Sequence, residues 1–216
     1  VIRAFLFDLD GTLIDSLVDI AEAMNDALAE AGWPTHPLAV YRDSVGEGVD
    51  ALARRVAPPE AAADDARRSA LAARYQAFYA GRSTRATRPY PGVPELIAAL
   101  RGRGVPLAVL SNKPDAATRH LVDAFFAPGS FAAVRGQRPG VPRKPDPSAA
   151  LALAAELGVP PAEVAFVGDT AVDMRTARAA GMVAVGVSWG FRPGELREAG
   201  AEQVVDEPSA LMRLMS

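Results

Sequence analysis

Asp8-Leu9-Asp10-Gly11-Thr12 closes an apolar run that begins at Val1 and is interrupted only by Arg3 and Asp8. Residues two apart on a strand face the same side, so Asp8 and Asp10 can address one site. Two acids on an apolar strand are costly to bury unless a cation or a function keeps them. Gly11 lets the backbone approach a phosphate closely, and its amide can donate to phosphate oxygens. The plain alternative is a strand that ends in an Asp-Gly turn with ordinary solvated carboxylates.

Three further clusters follow apolar runs. Ser111-Asn112 comes directly after Leu107–Leu110. A hydroxyl at a strand's end can bind a phosphate oxygen, and the Asn amide adds donors. Ser-Asn ahead of Lys113-Pro114 is equally a good turn. The chain has no Gly-x-Ser-x-Gly elbow, so Ser111 is not read as a nucleophile. In Arg143-Lys144-Pro145-Asp146-Pro147, prolines on both sides of Asp146 stiffen the loop and preset the next helix. Lys144 held there is a fixed positive charge for phosphate; the alternative is a solvated surface lysine. Gly168-Asp169-Thr170-Ala171-Val172-Asp173 follows Val164–Val167, with Asp173 one helical turn beyond Asp169. A helix N-terminus favours both carboxylates; the alternative is an Asp cap with an exposed acid.

Jointly the four clusters say more than each alone. They supply a carboxylate pair, a hydroxyl, an ammonium and a second acidic pair, each after an expected strand. That is the inventory of phosphoryl transfer with an oxygen-ligated metal: nucleophile, acid–base, charge neutralisation and metal anchor.

The elements that must carry these residues alternate along the chain. Val1–Leu9, Leu107–Leu110, Ala132–Val134, Val164–Val167, Val183–Val187 and Gln203–Val205 read as strands. Near-continuous apolar runs suit parallel strands covered on both faces. Pro94–Arg101, Asp115–Phe126, Ser148–Leu157 and Ala171–Ala180 read as helices between them. The alternation predicts an α/β sheet with crossover helices. From about Leu17 to Tyr79 nothing reads as a strand. Leu17–Ala31, Val49–Val56 and Glu60–Tyr79 have helical patterns, the first stopped by Gly32 and Pro34. The expectation is a core of residues 1–15 and 82–216 carrying a helical insert of residues 16–81. Its hinges fall near Asp15–Ser16 and within Gly81–Pro91, where Arg82, Arg85 and Arg88 read as a solvated face.

Bulk properties exclude several classes. A net charge of −3 disfavours a general nucleic-acid binder. No apolar run approaches the roughly 20 residues of a membrane span. The chain starts at Val1 with no basic region ahead of an apolar stretch, so no secretory leader is read, and a cytoplasmic location is expected. With no Cys, disulfides, thiol nucleophiles and thiolate metal sites are all excluded, and oxygen ligands suit Mg²⁺.

The four clusters, in this order, resemble the motifs of the haloacid dehalogenase superfamily: Asp8-Leu9-Asp10-Gly11-Thr12-Leu13, then Ser111, then Lys144 in Lys-Pro-Asp-Pro, then Gly168-Asp169 with Asp173. The helical insert lies where that superfamily inserts a small cap. The resemblance implies a Rossmann-like parallel-sheet core with helices on both faces. Within the superfamily the chain is most similar to phosphoglycolate phosphatases, through Val45–Asp50, Pro91-Gly92-Val93, Ser111-Asn112-Lys113-Pro114 and Trp189-Gly190-Phe191.

The roles implied are these. Asp8 attacks phosphorus and forms an aspartyl-phosphate, and Asp10 serves as acid and then base. Mg²⁺ is held by the carboxylates of Asp8 and Asp169 and the carbonyl of Asp10, with Asp173 behind them or reaching the ion through water. Gly11, Thr12, Ser111, Asn112 and Lys144 hold the phosphate. Gly46, Glu47 and Gly48 form a specificity loop in the cap, which closes over a small phosphate ester. Trp189 and Phe191 are expected to pack the core edge, and His36 and His120 to be structural. A receiver domain lacks the insert, and a dehalogenase has no need of Asp10. A phosphomutase and a sugar phosphatase of the same fold remain the alternatives to 2-phosphoglycolate hydrolysis. The expected assembly is a monomer or weak homodimer, with no nucleic acid or membrane as partner.

Overall fold

The structure is a computed structural model that describes residues 1–215. The chain opens with β1 (Ala4–Phe7) and passes through β2 (Ile14–Asp15) into α1 (Leu17–Glu30), α2 (Leu38–Ser44), α3 (Val49–Val56), α4 (Pro59–Ala62) and α5 (Asp65–Ala80). It continues through β3 (Arg88–Pro89), α6 (Val93–Gly102), β4 (Leu107–Pro114), α7 (Asp115–Phe125), β5 (Ala133–Gln137) and α8 (Ser148–Leu157). It ends with β6 (Val164–Gly168), α9 (Ala171–Ala179), β7 (Val183–Val187), β8 (Gln203–Val205) and a 3₁₀ segment, Pro208–Met215. Among the described residues no helix is long and apolar enough to cross a membrane.

The chain divides into two compact units, Val1–Asp15 with Pro89–Ser216, and Ser16–Arg88. The first holds a parallel sheet in the order β5-β4-β1-β6-β7-β8. β1, β6 and β7 are apolar throughout because both faces are covered. Phe5 and Phe7 enter one core cluster with Val93, Leu96 and Leu121, while Ala4 and Leu6 enter the other with Leu153, Met174 and Ala177. The same alternation runs through β4 and β6: Leu107, Val109, Ala165 and Val167 lie on one face, Ala108, Leu110, Val164 and Phe166 on the other. Strand order reverses at β1, with β4 on one side and β6 on the other. The crevice beyond the carboxyl ends at such a reversal is where open α/β sheets bind ligands. Asp8 and Asp169 directly follow β1 and β6.

β4 runs further than expected, to Pro114, so Ser111 and Asn112 lie within it and not in a turn behind it. Pairing with β5 resumes at Pro114↔Gln137 after a register shift, which extends the strand past the polar residues.

The second unit is helical, and its elements differ in two respects from expectation. α2 was not expected; its Tyr41 is fully buried. The expected helix Glu60–Tyr79 is two helices, because the Asp64 side chain accepts from the amides of Ala66 (2.9 Å) and Arg67 (3.1 Å) and starts α5 afresh. This unit also runs on to Arg88, where the return to the core was expected at residue 82. The buried Asp19 of α1 binds the amides of Ala86 and Thr87 and so draws that stretch into the helical unit.

Candidate active site

The strand ends bring Asp8, Lys144, Asp169 and Asp173 together in the core. Lys144 Nζ lies 2.8 Å from Asp8 Oδ1 and 2.7 Å from Asp173 Oδ1. It is aligned toward Asp173, so Asp8 Oδ1 is a buried oxygen with a charge contact but no aligned hydrogen bond. The lysine is immobilised through its backbone. Asn112 Oδ1 accepts from Lys144 N at 2.9 Å, and Asn112 Nδ2 donates to Lys144 O at 3.1 Å. The Asn112 amide expected at the phosphate thus also clamps the backbone of Lys144.

The fourth cluster holds itself in place. Asp173 Oδ2 accepts from Thr170 N (3.1 Å) and Thr170 Oγ1 (2.7 Å), a capping box at the start of α9. Both oxygens of Asp173 are thus engaged. Asp169 accepts from Thr12 Oγ1 at 3.1 Å and from Phe191 N at 2.8 Å. Thr12 therefore orients a carboxylate with its hydroxyl, and its amide turns to Leu9 O at 3.3 Å. The Gly11 amide is likewise engaged inside the turn, with Ile14 O at 2.9 Å. What Gly11 contributes is space: its φ is +85°, and a Cβ there would lie 2.2 Å from Asp169 Oδ2.

Charge is out of balance in this cluster. Asp8, Asp169 and Asp173 each offer a carboxylate oxygen within 4.8 Å of the others. Against three carboxylates stands the one ammonium of Lys144, which leaves two negative charges in excess. Burial pushes the Asp8 carboxyl up to about 7, against the pull of Lys144 and with repulsion from Asp173 and Asp10 added. Burial, then Asp173 and Asp8, also raises Asp169 well above the usual carboxylate range. Burial alone would depress Lys144, but Asp173 and Asp8 override it and raise it. An all-oxygen site with two surplus negative charges and an oxygen lacking an aligned donor fits a hard divalent cation such as Mg²⁺.

Sequence reasoning missed three participants. Lys113 Nζ donates to both oxygens of Asp10, at 3.0 and 2.8 Å, and its side chain is 5% exposed. Its adjacency to Ser111-Asn112 was the available signal. Trp189 Nε1 donates to Thr12 O at 3.1 Å, and Phe191 supplies the amide that orients Asp169, so this segment buttresses the Asp8–Thr12 turn as well as packing. Gly190 between them is close-packed: a Cβ would lie 2.2 Å from Asp169 Cβ and 2.4 Å from Gly11 O. A glycine flanked by two aromatics carried that hint. Ser111 Oγ accepts from Lys113 N at 3.2 Å, within β4.

In the helical unit, Gly46 and Gly48 have φ of 121° and 91°. Glu47 is paired with Arg55, whose other nitrogen donates to Ser44 O at 2.8 Å. The acid of this loop thus already faces a cation.

Comparison with known proteins agrees with this geometry. The family model for haloacid dehalogenase-like hydrolases matches residues 2–181. A phosphoglycolate phosphatase of Pseudomonas putida is 36% identical over 97% of this chain and 78% of its own length. One from Rhodospirillum rubrum is 35% identical over 97% of this chain and 89% of its own. The crystal structure of a predicted phosphoglycolate phosphatase from Haemophilus somnus 129PT superposes with a TM-score of 0.91 at 27% identity, over 100% of this chain and 98% of that one. The chain belongs to the haloacid dehalogenase-like hydrolases and is one of their phosphatases.

Proposed function

We propose that this phosphatase hydrolyses 2-phosphoglycolate through an aspartyl-phosphate on Asp8, with Mg²⁺ as cofactor. The observation that carries the reading is the surplus of buried carboxylate around one fixed lysine. Asp8 and Asp169, with the carbonyl of Asp10, are the groups that would hold Mg²⁺. Bound there, the ion would neutralise the surplus charge and that of the phosphate.

The chain's own residues supply the rest. An Asp8 oxygen attacks phosphorus as the P–O bond to the leaving group breaks. Asp10 gives its proton to the departing oxygen, then takes one from the water that attacks the acyl phosphate, which regenerates Asp8 and releases phosphate. Ser111 binds a phosphate oxygen. Lys144 keeps Asp8 oriented while Asn112 fixes Lys144. Asp173 anchors the far side of that ammonium. Gly46, Glu47 and Gly48 remain the residues of the helical unit offered for leaving-group recognition, their amides unobstructed by a Cβ at the two glycines. Relatives that match nearly the whole of this chain are named phosphoglycolate phosphatase, which supports that substrate.

The test is a panel of 2-phosphoglycolate, ethyl phosphate and several sugar phosphates, assayed with Mg²⁺ and after chelation. The expected result is highest kcat/KM on 2-phosphoglycolate and no turnover without metal. A sugar phosphate preferred over 2-phosphoglycolate sinks the substrate; full activity after thorough metal removal sinks the cofactor.

A further inference from the structure

Asp10 lies against a buried ammonium that the nucleophile's side of the site does not account for. Lys144 already faces Asp8 and Asp173. Lys113 faces Asp10 instead, with Nζ on both of its oxygens. Taking an ammonium and a carboxylate out of water costs several kcal/mol per ion by typical estimates, so a plain stabilising pair is weak grounds for keeping it.

We propose that Lys113 binds the leaving group's carboxylate and selects small phosphate monoesters that carry a carboxylate one carbon from the ester oxygen. The proposal rests on the reading above of Asp10 as acid–base residue and of 2-phosphoglycolate as substrate. An acid that protonates the ester oxygen must come within about 2.6–3.2 Å of it. The Lys113 ammonium is 2.8 and 3.0 Å from that acid's two oxygens. Nζ thus lies within about 6 Å of the ester oxygen, so a carboxylate one carbon beyond that oxygen can come within reach of the ammonium. The phosphate end is fixed by the same stretch of chain: Ser111 precedes Lys113 by two residues on β4, and Ser111 Oγ accepts the Lys113 amide at 3.2 Å. A compact cation on a flexible stem can serve Asp10 and a neighbouring carboxylate by small rotations. An ethyl group in that place would set the ammonium against carbon. Lys113 lies on β4 of the core sheet, so its part in recognition is separate from the one offered for the Gly46–Gly48 loop.

The experiment compares kcat/KM for 2-phosphoglycolate and ethyl phosphate in wild type, Lys113→Met and Lys113→Arg at saturating Mg²⁺, with thermal melts to verify folding. Both activities are expected to fall in Lys113→Met because Asp10 loses its partner, so the readout is their ratio. The wild-type preference for 2-phosphoglycolate should shrink about 10–100-fold in Lys113→Met, the range that a hydrogen bond to a charged group commands, with the loss mainly in KM. Lys113→Arg should keep most of the preference. Lys113→Gln, with a polar head that can still donate to Asp10, replaces the Met variant if that one does not fold. If both esters lose equally and the ratio stands, Lys113 acts on Asp10 alone and the proposal is overturned. If wild type shows no preference, the substrate reading itself has failed, and that is visible before any variant is made.

Discussion

Asp19 of the helical unit and Asp8 of the core are both buried aspartates, 0% and 5% exposed, and their surroundings treat them oppositely. Asp19 accepts from Ala86 N at 3.0 Å on both oxygens, from Thr87 N at 2.8 Å and from Thr87 Oγ1 at 2.6 Å. Its charge is fully met by dipoles, and it ties α1 to the end of its own unit. Asp8 meets one ammonium, shares it with Asp173, and has Asp169 and Asp10 as further negative neighbours. Burial is therefore not what separates a structural acid from a chemical one. The separation lies in whether donors match acceptors. A satisfied carboxylate does one thing well and cannot take on another, whereas a carboxylate in surplus waits for a cation or an electrophile.

The sharpest break of this comparison is Asp8→Asn. Turnover should fall roughly 10⁴-fold or more, as when a nucleophile is removed, and no phosphoenzyme should accumulate on rapid quench. The metal-free protein should also become more stable to denaturant, since one surplus charge has gone. Near-normal turnover would remove Asp8 as nucleophile, and a loss of stability would show that its charge was already satisfied, like that of Asp19.

The next effect is on pH. Asp8 titrates near 7 in the folded chain and near 3.8 when unfolded, because burial disfavours its charge. The folded state thus binds the extra proton between those values. The stabilisation is complete below about 4 and is lost as pH rises through about 7, and Asp169 shifts in the same direction. The melting temperature of chelated protein should fall over that window, and saturating Mg²⁺ should flatten or reverse the fall. A metal-free protein whose stability is level from pH 4 to 7 would contradict the charge surplus.

The same contrast explains what could be read from the sequence. Asp8, Asp10, Asp169 and Asp173 were legible because charged residues at the ends of apolar strands break the local pattern, and Lys144 because it stands in a proline-stiffened loop between them. The sheet was legible because strands covered on both faces are apolar at every position, as β1 and β6 are. Partnerships between distant segments were not legible. That Asn112 clamps Lys144 depends on where the Arg143–Pro147 loop returns to β4, and that Phe191 orients Asp169 depends on the turn after β7. The polar residues of β4 read as a turn because Ser, Asn and Pro favour turns, yet pairing with β5 overrode that preference. Asp19 carries no signal of its role in the sequence, for its donors lie 67 and 68 residues away.

Asp19→Ala tests the other side of the comparison. The substitution leaves the amides of Ala86 and Thr87 and the Thr87 hydroxyl facing a small buried void. Thr87 is itself fully buried, so water has little access to replace the lost acceptor. Removing one partner of buried, charge-assisted hydrogen bonds exposes the desolvation cost of the donors left behind, so the expected loss is about 3 kcal/mol in chemical denaturation. Asp19→Asn should recover part of it, because one amide oxygen still accepts while its NH₂ faces donors. Activity per folded molecule should change little in either variant, since nothing in the acid's surroundings leaves it free to act on substrate. The measurement is kcat at a temperature where the variant remains folded, beside its denaturation midpoint. A variant that keeps its stability but loses turnover would place Asp19 with Asp8 among the functional acids and would defeat the rule that matched donors mark a structural one.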